Sequence, residues 1–133
     1  MRVIKVLVAL LATVTFFVLL AQTDADYMGW MKSAVASKGK VAKGIAAKDK
    51  GVATDAKVME DSFKGMEDYW TKKGAADATA FAKTARTASA DAAKAIAAGD
   101  FDAANAAMAT VGGTCGGCHM AHRAKGDSGF QIK

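Results

Sequence analysis

The chain has 133 residues, no proline and a formal charge of +5, which together indicate one small domain. Hydrophobic residues make up 52% of it, but many are alanines, so we expect a thin core that needs a staple such as a bound metal or cofactor. Lysines and acidic residues are interspersed, and no basic stripe with interleaved aromatic residues is visible, which argues against a nucleic-acid partner.

The first 25 residues differ from the rest of the chain. Arg2 and Lys5 precede an uncharged apolar run from Val6 to Ala21, which is the layout of a secretory signal peptide, with cleavage expected after Ala21 or after Ala25. The run is long for a signal peptide and slightly short for a membrane-spanning helix, so an uncleaved N-terminal anchor is the alternative. In both cases the positive residues stay in the cytoplasm and the rest of the chain is exported.

Residues 26–133 form the predicted domain, in which glycines and polar clusters must provide the breaks because proline is absent. The first predicted helix runs from Asp26 to about Lys48 and is followed by a turn at Asp49–Gly51. Its predicted inner stripe comprises Met28, Met31, Val35 and Ala42.

The second predicted helix begins at an N-cap, Thr54, and ends at Gly74. Lys72 and Lys73 stand in its last turn, where the helix dipole favours cations. Its predicted inner stripe comprises Val58, Met59, Phe63, Met66, Tyr69 and Trp70.

The third predicted helix runs from about Ala76 to Ala98 and stops at Gly99. Its inner stripe comprises Phe81, Ala85, Ala88, Ala92 and Ile96. The fourth predicted helix runs from near Asp100 to about Lys125, and the tail after it is expected to be frayed. The inner face of this last helix comprises Phe101, Ala104, Met108 and Val111.

Four helices joined by short turns predict an all-α fold, an antiparallel up-and-down four-helix bundle. The alternative is a set of loosely associated helices that needs a partner, since the third helix is so rich in alanine that its hold on the core is weak.

Both cysteines and both histidines of the chain fall within eight positions of the last helix. Cys115, Cys118 and His119 form a C-x-x-C-H motif, which is typical of covalent haem attachment. Two thiols three residues apart can reach the two vinyl groups on one edge of a porphyrin, and the next residue then offers its imidazole to the iron. Gly116 and Gly117 place no side chain against that edge. Predicted export agrees with this interpretation because c-type haem is attached outside the cytoplasm.

Two other uses of these residues are open. A C-x-x-C pair can be a redox-active or an inert disulfide, although the redox motif belongs beside a βαβ pattern and no strand is predicted here. A zinc site needs four ligands, which Cys115, Cys118, His119 and His122 could supply only by folding a short glycine-rich knuckle.

The position of the motif near the end of the chain restricts the sixth ligand of a haem iron. Met120 is the neighbour of His119, and His122 lies one turn further along the same helix, so both stand on the proximal side. A sixth ligand must therefore come from upstream.

A four-helix bundle with C-x-x-C-H on its last helix resembles cytochrome c-prime and its low-spin relatives, the class II c-type cytochromes, over residues 26–125. The most specific stretch is VGGTCGGCHMAHR, in which Val111 precedes the motif and Arg123 follows His119 by four residues. The aromatic residue common before that arginine is replaced here by His122.

The stretch DYMGWMKSAV carries a second match. Tyr27, Met31 and Lys32 fit the family's first helix, in which an aromatic residue and then a hydrophobic–basic pair face the haem from the distal side. The resemblance implies that Met31 is the sixth ligand, with Met28 on the same face as its rival. The other use of either methionine is to fill gaps in the core.

The resemblance implies a periplasmic electron carrier, not an enzyme, with one haem c on Cys115 and Cys118 and with His119 and Met31 on the iron. Its partners would be redox proteins, without organic substrate or nucleic acid; a homodimer is left open, and membrane contact follows only if the leader is uncleaved. Arg123 is expected to pair with a haem propionate or to stack on the ring, or else to be a solvated surface residue.

Several functional alternatives stay open. Without a methionine on the iron, the haem would be five-coordinate and high-spin and would bind nitric oxide or carbon monoxide. A peroxidase would need a distal acid or base, and the first helix has no histidine to supply one. The haem could also serve only as a folding staple.

Lys32 and Lys125 either steer an acidic redox partner or solubilise the surface. Phe101, Met108 and Val111 are expected to line the pocket, and Trp30 and Trp70 to pack in the core.

Overall fold

The computed structural model describes residues 22–133, which form the predicted four-helix bundle. In chain order the elements are α1 (Asp24–Ala46), a 3-10 turn (Lys50–Val52), α2 (Ala53–Lys73), α3 (Ala76–Ala98), α4 (Phe101–His122), β1 (Arg123–Gly126) and β2 (Gly129–Ile132). Residues 1–21, which make up most of the predicted leader, lie outside the described residues. None of the helices within residues 22–133 has the length and apolarity that crossing a bilayer requires.

The first helix begins at Asp24, slightly before its predicted start at Asp26. Thr23 is the N-cap: its hydroxyl oxygen accepts a hydrogen bond from the Asp26 backbone N–H at 3.1 Å, and the Asp26 carboxylate accepts one from the Thr23 N–H at 2.8 Å. This reciprocal pair is a capping box, which satisfies two otherwise unpaired donors. The bundle therefore includes residues that the predicted boundary after Ala25 assigned to the leader.

The predicted inner stripe of α1 is wrong for Met28, Val35 and Ala42, which are exposed. The helix instead buries Tyr27, Ala34, Ser37, Val41, Gly44 and Ile45. The helical period is correct, but α1 carries two apolar stripes and the sequence does not say which faces the core. The second stripe, with Met28, Met31 and Val35, lines the groove described below.

The predicted stripes of α2 and α3 are confirmed, except that Val58 is exposed and Phe81 is half-buried. Gly74 and Gly99 end these helices in the left-handed conformation, with φ of 72° and 80°.

The start of α2 differs from the prediction. Thr54 is not its N-cap but lies within the first turn, and its hydroxyl donates to the Gly51 carbonyl at 2.6 Å. The Asp49 carboxylate instead caps the 3-10 turn by accepting a hydrogen bond from the Gly51 N–H at 2.8 Å.

The last helix ends at His122, not near Lys125, and the tail is not frayed. β1 and β2 form an antiparallel hairpin in which Gly126 pairs with Gly129 at the turn. The hairpin is fixed to the bundle by Ile132, which packs against the core, and by the Lys133 N–H, which donates to the His122 carbonyl at 3.0 Å.

The bundle is open along one seam. Each helix packs closely against the next in sequence, but α1 and α4 touch little. Val111 is the last fully buried residue of α4, and beyond it the side chains of Cys115, Cys118 and His119 are only half-buried. The groove described next lies along this seam and has His119 of the C-x-x-C-H motif in its lining.

Candidate functional site

An apolar groove of about 400 Å³ runs along the seam between α1 and α4. His119 of α4 and Arg123, the first residue of β1, lie on one side of it, and Met28 and Met31 of α1 lie on the other. The rest of the lining comprises Tyr27, Lys32, Val35, Ala36, Phe130 and Gln131. The fold thus brings His119 and both candidate distal ligands, Met28 and Met31, to one groove.

Three large apolar side chains of the groove lining are exposed to solvent. Val35 is 66% exposed, Phe130 57% and Met28 36%, and all three belong to the same lining. Contiguous apolar patches on soluble proteins commonly mark a binding site. The groove therefore has the character of a surface that an apolar ligand covers.

The two cysteines lie behind the groove. A cleft of about 20 Å³ is lined by Cys115, Cys118, Phe63 and Trp70 among others, and it shares Tyr27, Met31 and His119 with the groove. Both cysteine side chains also pack against the core cluster around Tyr27 and Phe63. The thiols therefore line a cleft next to the groove, and the His119 imidazole lines both apolar spaces.

Both thiols are free and protonated in this environment. Burial raises the pKa of Cys115 and of Cys118, and the nearby Asp77 carboxylate adds to the effect at Cys118. Reactive cysteines need a lowered pKa because the thiolate is the nucleophile and the metal ligand. The setting is therefore unlike that of a redox-active C-x-x-C pair.

His122 does not join the other three candidate zinc ligands. Its Nε2 lies 2.8 Å from a carboxylate oxygen of Asp77, and its ring lies 4.7 Å from the Trp70 ring, centroid to centroid. Within residues 22–133, no three His, Cys, Asp or Glu side chains are grouped so that they could hold a metal ion.

His119 presents a neutral imidazole. Partial burial and then the Arg123 charge lower its pKa, and the neutral ring is the form that binds a metal. Arg123 Nη1 lies 3.3 Å from His119 Nδ1. Because a guanidinium can only donate, this contact leaves the ring proton on Nε2. Metal ligation through Nε2 needs the opposite tautomer, so Arg123 would have to turn away from Nδ1 when the groove is filled.

Comparisons with protein-family models, with curated proteins and with solved structures find no match to this chain. The resemblance to the class II c-type cytochromes stays a prediction from the motif and the order of the helices.

The residues present fit a haem. An apolar groove with a neutral imidazole on one wall and a thioether on the other suits a porphyrin that carries iron, and two thiols stand next to the imidazole. Lys32 and Arg123 add two cations to the lining, which suits the carboxylates of such a ligand.

Arg123 is not a solvated surface residue. It is half-buried, and its guanidinium carbon lies 3.2 Å from the centroid of the Phe130 ring. Phe130 was missed from the sequence because the tail was expected to be frayed. The signal was present in the Gly126–Gly129 turn, which precedes an alternating strand segment.

Other predicted pocket residues lie elsewhere. Phe101 packs against a second core cluster, around Val41 and Ile96, and Met108 packs against both clusters. Val111 is fully buried in the cluster that the two cysteines contact, but it lines neither the groove nor the cleft. Trp30 packs against the core, whereas Trp70 is both buried and part of the cleft lining. Lys32 lines the groove, but Lys125 lies on β1 outside its lining.

The glycines of the motif have different surroundings. A Cβ at Gly117 would come within 2.7 Å of the Phe81 ring, whereas a Cβ at Gly116 would meet nothing within 4 Å. Of these two glycines, only Gly117 lies so close to another side chain, Phe81, that a larger residue would clash with it.

An aromatic cluster borders the cleft and was not anticipated as a unit. Tyr27, Tyr69 and Trp70 pack with ring centroids 4.7 to 5.5 Å apart. Burial raises the pKa of Tyr27 to about 12, so its phenol stays protonated. The buried Trp70 Nε1–H has no well-aligned hydrogen-bond acceptor among the described residues.

Proposed function

We propose that this protein is an exported c-type cytochrome that carries single electrons through one haem c. Cys115 and Cys118 would attach the haem, His119 would be the proximal ligand and Met31 the distal ligand. The single observation that carries the proposal is the placement of His119 and Met31 on one apolar groove beside a C-x-x-C-H motif. Export rests on the predicted leader, and the partners would be other redox proteins.

A bound haem supplies one-electron exchange between ferrous and ferric iron. The chain's own residues would retain the cofactor, orient it and shield it from water. The two cysteines would tie the cofactor to α4, and His119 and Met31 would hold its iron from two helices that pack against the core. A thioether donor favours the reduced state and raises the reduction potential. With a cofactor in the groove the apolar lining would exclude water, and Lys32 and Arg123 supply positive charge for carboxylates.

Met31 is the better distal candidate of the two methionines. It is half-buried, lines both the groove and the cleft, and packs against the core beside the cysteines. Met28 lines the groove alone and is 36% exposed. Met31 thus shares a lining with the two thiols that would fix the cofactor, and Met28 does not.

The test is the visible absorption spectrum of the reduced, exported protein beside Met31→Leu and Met28→Leu. Leucine keeps the volume and removes the sulfur donor, so the fold should be kept. We expect a sharp low-spin α band in the wild type and in Met28→Leu, and a broad high-spin spectrum in Met31→Leu. Loss of the band in Met28→Leu alone would assign the ligand to Met28. A high-spin wild type that binds carbon monoxide would favour the gas-binding alternative.

Voltammetry of the same protein separates a carrier from a bundle that uses haem only as a staple. We expect reversible reduction and reoxidation, because axial donors on two packed helices need little rearrangement between redox states.

A further inference from the structure

Tyr69 connects the core to the surface through its hydroxyl group. The side chain is 2% exposed, yet its O–H donates to Asp24 Oδ1 at 2.5 Å. The Asp24 side chain is 68% exposed and also lies 3.3 Å from Lys73 Nζ. The hydrogen bonds from Tyr69 and Lys73 lower the pKa of Asp24, so its carboxylate is ionised. Its Oδ1 already accepts the hydrogen bond along which the phenolic proton would move.

The ring of Tyr69 is also connected inward. Its centroid lies 4.7 Å from that of Tyr27 and 5.2 Å from that of Trp70. Tyr27 and Trp70 line the cleft that holds Cys115 and Cys118, and Tyr27 lines the groove as well. Rings in van der Waals contact are electronically coupled, so an electron vacancy created at the groove has a short aromatic path to Tyr69.

We propose that Tyr69 is a redox-active site: a one-electron oxidant removes an electron from its ring while its phenolic proton passes to Asp24, with Tyr27 and Trp70 linking this pair to the groove. The physical reason is that a phenol that has lost an electron is a very strong acid. Oxidation is therefore easy only where a base already accepts a hydrogen bond from the phenol and can take the proton, and Asp24 is placed to do so.

The step is balanced. One electron leaves the Tyr69 ring for the oxidant, the phenolic O–H bond breaks, and a bond forms between the proton and Asp24 Oδ1. The products are a neutral tyrosyl radical, a protonated carboxyl group and an oxidant reduced by one electron. A soluble reductant at the surface returns the electron, and the proton then returns to the phenol oxygen.

The value of this path to the protein rests on the proposed function, but the oxidation of Tyr69 does not. Peroxide that reacts with a haem in the groove would produce strong oxidising equivalents next to Met28 and Met31, whose thioethers are readily oxidised. Passing those equivalents to the protein surface at Tyr69 and Asp24 would spare the distal ligand.

The experiment oxidises the full exported protein, in its ferric form, with photogenerated ruthenium(III) tris-bipyridine, and records freeze-quenched EPR spectra. The chain has only two tyrosines, so two variants assign any tyrosyl signal. We expect the radical in the wild type and in Tyr27→Phe, and its loss in Tyr69→Phe. A radical assigned to Tyr27 or to a tryptophan alone, or no protein radical at all, would overturn the proposal.

Asp24→Asn is the decisive variant, because the amide oxygen still accepts a hydrogen bond but is a far weaker base. We expect the rate of radical formation to fall at least about tenfold, which a barrier increase of about 1.4 kcal/mol would produce. Asp26→Asn is the matched control: Asp26 lies in the same first turn and bonds to Thr23. Equal rates in the two variants would show that the Tyr69–Asp24 contact is only structural.

The proposed aromatic path between Tyr69 and the groove is tested separately, by the oxidation of the groove methionines. After peroxide treatment, peptide mass spectrometry should find more sulfoxide at Met28 and Met31 in Asp24→Asn than in Asp26→Asn. Equal oxidation would refute that link. The absorption spectra of these samples report haem attachment separately, so failure of the proposed function cannot be confused with failure of the Tyr69 site.

Discussion

Arg123 joins three parts of the site through one side chain. It follows the last turn of α4, contacts His119 at 3.3 Å and stacks on Phe130 of the hairpin at 3.2 Å. A guanidinium can exchange such contacts for a carboxylate at little cost because its donors form a rigid, weakly hydrated fork. Arg123 is therefore the residue that we expect to move most when the groove is filled.

His122 and Asp77 tie the end of α4 to the start of α3 and make part of the stability sensitive to acid. The hydrogen bond from His122 is the largest of several effects that lower the pKa of Asp77 below its ordinary value of 3.8. A carboxylate with a lowered pKa stabilises the fold fully above the ordinary value and loses that effect as the pH falls through its folded-state pKa.

We therefore expect the free energy of unfolding, measured with urea between pH 7 and pH 2, to fall in acid for the wild type. In Asp77→Asn it should be lower at pH 7, and the gap to the wild type should close in acid. A gap of constant size across this range would contradict the assigned cause.

At the scale of elements, the junction between α1 and the 3-10 turn is tightly packed. A Cβ at Gly44 would come within 2.8 Å of Val52 Cβ, which sits directly on the backbone and cannot swing aside. We expect Gly44→Ala to lower the free energy of unfolding by about 1–3 kcal/mol through overpacking.

Gly39→Ala is the matched control for that change. Gly39 lies on the same helix, and a Cβ there would meet nothing within 4 Å. Replacing glycine by alanine inside a helix should stabilise it by up to about 1 kcal/mol. Urea unfolding of the two variants should thus give shifts of opposite sign, and equal shifts would show that the junction is looser than described.

The elements also show what the sequence could predict. Helix ends at Gly74 and Gly99 were predictable because the left-handed conformation selects glycine locally. The buried face of α1 was not, since alanine and methionine on two sides of the helix give it two comparable apolar stripes. The hairpin was missed because its strands are short and the glycine turn is a weak local signal. The contacts of Arg123 with Phe130 and of Ile132 with the core, which hold the hairpin in place, appear only in the structure.

For the candidate site, the sequence predicted the two thiols and the imidazole as a local motif. Only the family resemblance predicted that Met31, which lies near the start of the predicted domain, would face the same groove. The roles of Phe130 and of the Tyr69–Asp24 pair depend on tertiary contacts between residues distant in sequence, 45 positions apart for that hydrogen bond.

At the scale of the whole molecule, the open seam between α1 and α4 is the feature that a cofactor would close. A bundle whose first and last helices touch little leaves apolar side chains in water, and a covalent ligand between them would bury those side chains. Loss of the ligand should therefore weaken the seam before the rest of the bundle.

We expect the double variant Cys115→Ser and Cys118→Ser, which cannot attach a haem, to have a lower thermal midpoint than the exported wild type. Hydrogen exchange should accelerate in the half of α1 that holds Met28 and Met31 more than in α2. Met120→Ser is the control, because Met120 is 84% exposed on the same turn as the motif and its loss should leave attachment intact. An unchanged midpoint in the double variant would show that the bundle needs no ligand.

The proposed covalent bond between this chain and a porphyrin is tested most directly by intact-mass spectrometry of the protein purified from a host that attaches c-type haem. The account predicts a polypeptide heavier by the mass of one haem, and the bare mass when Cys115 and Cys118 are both replaced by serine. A wild-type protein that carries only the bare polypeptide mass would contradict it.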